Sequence, residues 1–223
     1  MAGDYVVYGA AGSGSVPVEA ALTLIGAPFS VVERVVWADR AAADEMAKVN
    51  PMRQIPALVL PSDGSSAGEL MTESAAILVW LAEAHPKARL APPPGHPHRA
   101  RFLRWMAFIS AQIYSLYWIR DDLSRLAAEP AHEPVLKERT AARILDCWRM
   151  MDAQAKPEGP FLFGQDVSVL DLYLAVVSRW GPRRRGFYAA APGLAEVVRR
   201  VDAHPPLAAF WAERMPFAEG WEG

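Results

Sequence analysis

Cysteine is nearly missing from this chain: Cys147 is the only one in 223 residues. No intrachain disulfide can form, which fits a reducing, cytoplasmic setting. With no C-x-x-C pair, dithiol redox chemistry has no sequence support. An excess of either charge is also lacking. Lys and Arg total 23 against 25 Asp and Glu, a net charge of −2. The one basic cluster, Arg183-Arg184-Arg185, reads as a solvated helix end rather than a phosphate site. Nothing resembles a basic stripe, so no nucleic-acid partner is expected. No run of about 18 apolar residues exists to span a bilayer. The N-terminus has no charged n-region followed by a long apolar stretch, so no secretory signal is expected. The small-residue loop from Gly9 to Ser15 lacks the Lys-Ser/Thr ending of a P-loop and the spacing of G-x-G-x-x-G. No metal is expected.

What is present is enough apolar material for a sizeable core, 52% hydrophobic against 22% charged. Asp4 to Tyr8 is β-rich and reads as a first strand. Val16 to Ile25 reads as a helix, with Pro17 in its first turn and Gly26 and Pro28 as stop signals. Phe29 to Val36 is a second strand, making a βαβ unit with parallel pairing. Arg40 to Val49 is a modest helix that stops before Asn50-Pro51. Ala57 to Leu60 is a third strand, Pro61 to Ser66 a turn, and Gly68 to Met71 a fourth strand. A helix opens at Ser74.

Between these elements lies Asn50-Pro51-Met52-Arg53-Gln54-Ile55-Pro56-Ala57-Leu58, answered by Glu73-Ser74. Proline is accommodated at the first residue of a strand but removes a ladder bond inside one. A cis Ile55-Pro56 bond would leave the Ile55 amide and carbonyl free for an extended peptide ligand adding like a strand. Amides at a helix start attract a carboxylate. The Ser74 hydroxyl adds a donor and Glu73 could accept from an ammonium group. The pair suits one end of an amino acid, although Thr72, Glu73 and Ser74 could also be no more than helix caps.

A proline-rich break at Pro86, Pro92, Pro93, Pro94 and Pro97 is the best domain boundary. Helical patterning dominates beyond it. Arg99 to Leu126 reads as one long helix, Val135 to Ala155 as another, and Pro192 to His204 and Pro206 to Met215 as the last two, with Phe217 to Gly223 as an extended strap. Cys147 lies beside the apolar stripe of Val135 to Ala155 and reads as a small core residue. Ser168-Val169-Leu170-Asp171 is a capping box, with Val167 and Leu172 as a hydrophobic staple.

The pattern N-P-x-[RK]-Q-[IV]-P-x-L, followed at this distance by [ED]-S, resembles the soluble glutathione S-transferase family, in a serine-type bacterial form. The resemblance covers residues 5 to 85 well. The capping box after Phe161-Leu162-Phe163-Gly164 extends it more loosely to the end of the chain. It implies an α+β thioredoxin-like domain of order βαβαββα over residues 1–85. A Pro-rich linker over 86–97 and an all-α domain over 98–223 would follow.

It also implies a chemistry. Glutathione would be the co-substrate, a small electrophile the second substrate, and a homodimer in the cytoplasm the working state, with detoxification among the uses. A free thiol titrates near ~8.5, and two units of depression need about 2.7 kcal/mol of preferential thiolate stabilisation. One hydroxyl donor with help from helix-start amides is of that magnitude. Ser13 and Ser15 lie in the loop where serine-type members keep this residue, and Tyr8 stands where tyrosine-type members keep their phenol. The peptide would be held by Ile55 and Pro56 along its cysteinyl backbone, and by Glu73 and Ser74 at the γ-glutamyl end. Arg53 or Gln54 would reach the glycyl carboxylate. Tyr114, Tyr117, Trp118 and Arg120 are candidates for the second substrate, against the plainer reading of aromatics in a core. N-P-M-R-Q-I-P is also similar to the zeta-type members that isomerise maleylacetoacetate. The Ser-Ser-Cys run and following arginine of that type are missing from Gly12-Ser13-Gly14-Ser15-Val16-Pro17. Isomerase and non-catalytic glutathione-binding protein are therefore the alternatives to transferase.

Overall fold

The computed structural model describes residues 4–62 and 68–223. The expected turn at Pro61 to Ser66 lies outside the described residues from Asp63 onward. The chain divides into two compact units. One comprises residues up to Ala91 together with Ala203–Phe217, and the other comprises Pro92–Asp202 with Ala218–Gly223. The segment 203–217, which the sequence groups with the helical domain, thus belongs to the N-terminal unit.

In the first unit, β1 (Tyr5–Gly9), α1 (Val16–Ile25), β2 (Phe29–Glu33), α2 (Arg40–Ala47), β3 (Ala57–Val59), β4 (Leu70–Thr72) and α3 (Ser74–Ala84) follow in the order βαβαββα. This is a thioredoxin-like arrangement. The sheet order is β2-β1-β3-β4. β1 runs parallel to β2 and antiparallel to β3, and β3 pairs antiparallel with β4. β2, β3 and β4 are shorter than their β-rich sequences suggest. Glu33 is the last residue of β2 opposite β1, so Val35 and Val36 fall outside the ladder.

Local chemistry accounts for the helix ends. Gly26 closes α1 in the left-handed region at φ 71°, its amide donating to the Leu22 and Thr23 carbonyls. Asp39 starts α2 by accepting from the Ala42 amide at 2.8 Å. Val16, Val18, Ala20, Ala21 and Leu22 of α1 and Ile77, Leu78 and Leu81 of α3 are all fully buried, and these two helices pack on one another. On β1, alternation sends Val7 and Tyr8 to opposite faces. Tyr8 packs with Ala10, Met46, Ile55 and Ala57.

The second unit is helical. It holds α4 (Arg99–Phe108), α5 (Ser115–Asp121), α6 (Glu133–Ala155), α7 (Val169–Val177), α8 (Arg183–Ala190) and α9 (Pro192–Asp202). The expected long helix from Arg99 is interrupted by a π turn at Ile109–Tyr114. Ser115 Oγ donates to the Ala111 carbonyl at 2.7 Å, a back-bond that diverts the carbonyl from the ladder and bends helices. α7 is buried throughout and starts at the capping box. The Ser168 side chain accepts from the Asp171 amide, and Asp171 Oδ2 accepts from the Ser168 amide at 2.8 Å.

Arg184 corrects the reading of the basic cluster as a solvated helix end. It is 0% exposed, and its guanidinium grips Asp202 through both terminal nitrogens and donates to the Ala175 carbonyl at 2.7 Å. The tail is not an extended strap. It turns at residues 219–222, the Arg185 amide donates to the Glu222 carbonyl at 2.9 Å, and Trp221 lies under Arg179 and Arg184.

The remaining helix, α10 (Ala208–Arg214), follows a short 3-10 turn at Pro205–Leu207 and packs in the first unit against α1. No helix among the described residues is long and apolar enough to cross a membrane.

Candidate active site

The sheet register aligns three segments. Tyr8 of β1 lies opposite Ala57 of β3, and Ala57 lies opposite Thr72 of β4. One row across the sheet therefore ends in the loop after β1, in Ile55-Pro56 before β3, and in Glu73-Ser74 after β4. Neighbouring strands are about 4.8 Å apart, so the row spans about 10 Å.

The middle segment is built on Asn50, which is 5% exposed. Its Nδ2 donates to the Gln54 carbonyl at 2.9 Å and its Oδ1 accepts from the Met52 amide at 3.1 Å. The Arg53 amide donates to the Asn50 carbonyl at 2.8 Å. These bonds fold residues 50–54 into a turn that delivers Ile55 to a cis Ile55-Pro56 peptide bond. The ladder starts only at Ala57, so the Ile55 backbone lies beyond it. Arg53 pairs with Asp44 at 3.1 Å. Both side chains are about half exposed, so the pair itself contributes little.

At the third segment, Glu73 is the residue before α3 and has φ 67°, ψ 102°. A non-glycine residue there costs about 1–3 kcal/mol and persists where surroundings or function require it. Its carboxylate is exposed and makes no capping bond to α3, so helix capping does not account for its conformation. Ser74, the first helical residue, is buried.

The first segment is a dense polar knot. Ser15 is 0% exposed and Ser13 7%. Ser15 Oγ donates to Glu19 Oε1 at 2.6 Å, accepts from the Ala10 amide at 3.1 Å, and sits 3.0 Å from Ser13 Oγ. The Ser15 amide donates to Ser13 Oγ at 3.1 Å. Glu19 is fully buried in α1. Arg214 Nε donates to its Oε2 at 2.6 Å, and the same guanidinium reaches Glu33. Burial of Arg214 opposes its charge, but the Glu19 and Glu33 carboxylates outweigh that and push its pKa up. The Arg214 carbonyl also accepts from the Gly12 amide at 2.9 Å. Gly12 has φ 72°, where glycine carries no steric penalty. Tyr8 is partly buried in the apolar cluster, with the Arg34 guanidinium 5.9 Å from its ring centroid.

The other candidates lie in the second unit. Tyr114 stacks on Tyr173 and meets Trp180 edge-on at 5.1 Å, and Tyr117 is buried against the same Trp180 at 5.2 Å. Burial pushes the Tyr117 phenol well above its ordinary range. Trp118 is exposed, with Arg125 over its ring at 4.7 Å. Arg120 is committed to α6, donating to the Lys137 carbonyl at 2.6 Å. Asp171 of the capping box is fully buried. Burial raises its pKa to about 6 against the opposing pull of its bonds from Ser168 and Leu162.

Sequence reasoning missed Glu19, Arg214 and Gly9, and read Asn50 only as part of the motif. Glu19 had left a trace, as the one acid in the apolar run Val16 to Ile25. A Cβ on Gly9 would lie 2.3 Å from Ser15 Oγ, a constraint invisible in sequence. Among the described residues, no group of three His, Cys, Asp or Glu side chains could hold a metal.

The fold and this row of segments define the class of protein, and the comparisons agree. A family model, glutathione S-transferase N-terminal domain, matches residues 13–84. The uncharacterized GST-like protein YncG of Escherichia coli K12 is 30% identical over 202 residues, covering 90% of this chain and 94% of its own length. A Sulfitobacter glutathione transferase homolog, solved with bound glutathione, superposes with TM-score 0.79 at 24% identity over 96% of this chain and 99% of its own. A sphingomonad glutathione S-transferase complexed with glutathione gives TM-score 0.70 at 26% identity over 92% and 96%. The chain belongs to the glutathione S-transferase family.

Proposed function

We propose that this protein is a glutathione transferase that lowers the pKa of the glutathione thiol through Ser13. The observation that carries the reading is the row Tyr8–Ala57–Thr72. Over about 10 Å it sets in line the three segments that would meet the γ-glutamyl end, the cysteinyl backbone and the sulfur. The cysteinyl backbone would pair with Ile55, the γ-glutamyl amine and carboxylate with Glu73 and Ser74, and the glycyl carboxylate with Gln54 or Arg53. The sulfur would then lie at the Ser13 loop.

The chemistry follows from that seating. The thiol gives its proton to solvent, and the Ser13 hydroxyl donates to the sulfur anion. The thiolate attacks an electrophilic carbon, the carbon–sulfur bond forms, and the leaving group departs with its electron pair. Tyr8 is supported better as a packing residue, because its ring is taken up by the cluster with Met46 and Ile55. The aromatic pair Tyr114 and Tyr117 is better supported as part of a core around Trp180. Trp118 keeps the exposure a second substrate would need. A homodimer in the cytoplasm, acting on small electrophiles for detoxification, is the working state this reading carries.

An ultraviolet titration of bound glutathione tests it. A thiolate pKa well below ~8.5, lost in Ser13→Ala and retained in Tyr8→Phe, is the expected result. Tight binding with an unshifted thiol would leave a glutathione-binding protein without activation. Calorimetry on Ser74→Ala should show a markedly weaker dissociation constant, and unchanged binding would remove the γ-glutamyl assignment.

A further inference from the structure

Two serines sit side by side in the loop after β1, and their protons are not equivalent. Ser15 Oγ owns one proton. The Glu19 carboxylate oxygen is 2.6 Å away, and the Ala10 carbonyl, the other acceptor in reach, is at 3.3 Å. A bond to a charged acceptor is about twice as strong as a neutral one, so the proton points at Glu19. The lone pairs of Ser15 then face the Ala10 amide at 3.1 Å and Ser13 Oγ at 3.0 Å. Ser13 must donate in that contact, because Ser15 has no second proton. Ser13 in turn accepts from the Ser15 amide at 3.1 Å.

We propose that Glu19 and Arg214 are positioning residues for thiol activation: the buried carboxylate consumes the Ser15 proton and so leaves Ser13 as the one hydroxyl able to turn its proton toward sulfur. This rests on the reading of the loop as the thiol site. Ser13 gives up only a neutral 3.0 Å bond when it turns, while its own oxygen stays held by the Ser15 amide. Arg214 makes the arrangement possible in two ways. A carboxylate with no exposure is costly to bury without a partner, and Arg214 supplies the cation at 2.6 Å. Its carbonyl also ties down the Gly12 amide at 2.9 Å, fixing the loop from which Ser13 projects. Glu33 holds the far side of the same guanidinium, so the hydrogen-bonded chain runs Ser13, Ser15, Glu19, Arg214, Glu33.

The test measures the thiol pKa of bound glutathione by ultraviolet titration, with its dissociation constant and the melting temperature read in parallel. The proteins are wild type, Glu19→Gln, Arg214→Lys, and the double variant Glu19→Gln/Arg214→Met. The double variant removes both charges together, so no unpaired buried ion compromises folding. We expect Glu19→Gln and the double variant to raise the thiol pKa by about one unit, tenfold less thiolate below that pKa. The dissociation constant should change less than about threefold, because the peptide contacts lie elsewhere. Arg214→Lys, which keeps the cation, should recover most of the shift. Folded variants with a wild-type thiol pKa would overturn the positioning role while leaving the activation reading intact. An unshifted thiol in the wild type itself would overturn the activation reading, and this inference with it.

Discussion

Replacing Gly9 by alanine probes the knot from its strand side. The new Cβ would lie 2.3 Å from Ser15 Oγ, 2.4 Å from Ser15 Cβ and 3.1 Å from Glu19 Oε1. Ordinary carbon contacts are about 3.5–4.0 Å, so Ser15 must move by more than an ångström. It cannot do so and keep its bond to Glu19. Overpacking costs about 1–3 kcal/mol, and loss of a hydrogen bond to a charged group a further 1.5–3 or so. We expect Gly9→Ala to lower unfolding free energy by about 3–5 kcal/mol in urea denaturation. For a chain of this length that is a fall in Tm of about 6–20 °C. The cause is checked by a cycle. Ser15→Ala would not relieve the clash, since its Cβ remains, but Ser15→Gly would. In a Ser15→Gly background, Gly9→Ala should cost under about 1 kcal/mol, because the two atoms it strikes hardest are gone and Glu19 Oε1, at 3.1 Å, has only a few tenths of an ångström to give. An equal cost in both backgrounds would refute the reasoning and locate the strain elsewhere.

Three further outcomes are expected. Glu73→Gly should relieve the conformation at φ 67° and raise stability by about 1 kcal/mol net of glycine's entropy, while weakening glutathione binding; a gain in both properties would remove Glu73 from the site. Arg184→Met leaves Asp202 without its bidentate partner and should cost about 3–5 kcal/mol in thermal unfolding, with much of the loss recovered in Arg184→Met/Asp202→Leu. Asp171 has a folded pKa of about 6 against an ordinary 3.8, so the native state holds that proton to higher pH than the unfolded chain. Its contribution is fully present below 3.8 and is lost as pH rises to about 6, a fall of about 3 kcal/mol. The stability difference between wild type and Asp171→Asn, measured by urea unfolding from pH 4 to 7, should fall across that window; a flat difference would mean the carboxyl is ionised throughout.

The parts readable in sequence were those whose determinants are close together along the chain. The proline opening β3 and the Ser168–Asp171 box each depend on residues a few positions apart. The βαβαββα order came from strand and helix patterning and stop signals together with the family resemblance. What escaped was set at long range or by backbone choice. Glu19 and Arg214 are 195 residues apart, and only folding brings them together. The π turn at Ile109–Tyr114 has the same apolar spacing as an uninterrupted helix. Arg184 looked like its two neighbours, and nothing local marks which of three arginines faces Asp202. Ser13 and Ser15 were both readable as candidates, but the proton that distinguishes them is assigned by a carboxylate paired with a residue near the far end of the chain.

That separation has a consequence for biosynthesis. At about 5–20 residues per second, the ribosome makes Glu19 some 10–40 s before Arg214, 195 residues later. Throughout that interval the first helix carries an acid destined for a dry interior and has no cation to go with it. The N-terminal unit, although its strands are all synthesised early, therefore gains this ion pair only after Pro92–Asp202 of the second unit has been translated. A nascent chain stalled before residue 203 would lack α10, and with it the cation that pairs with Glu19.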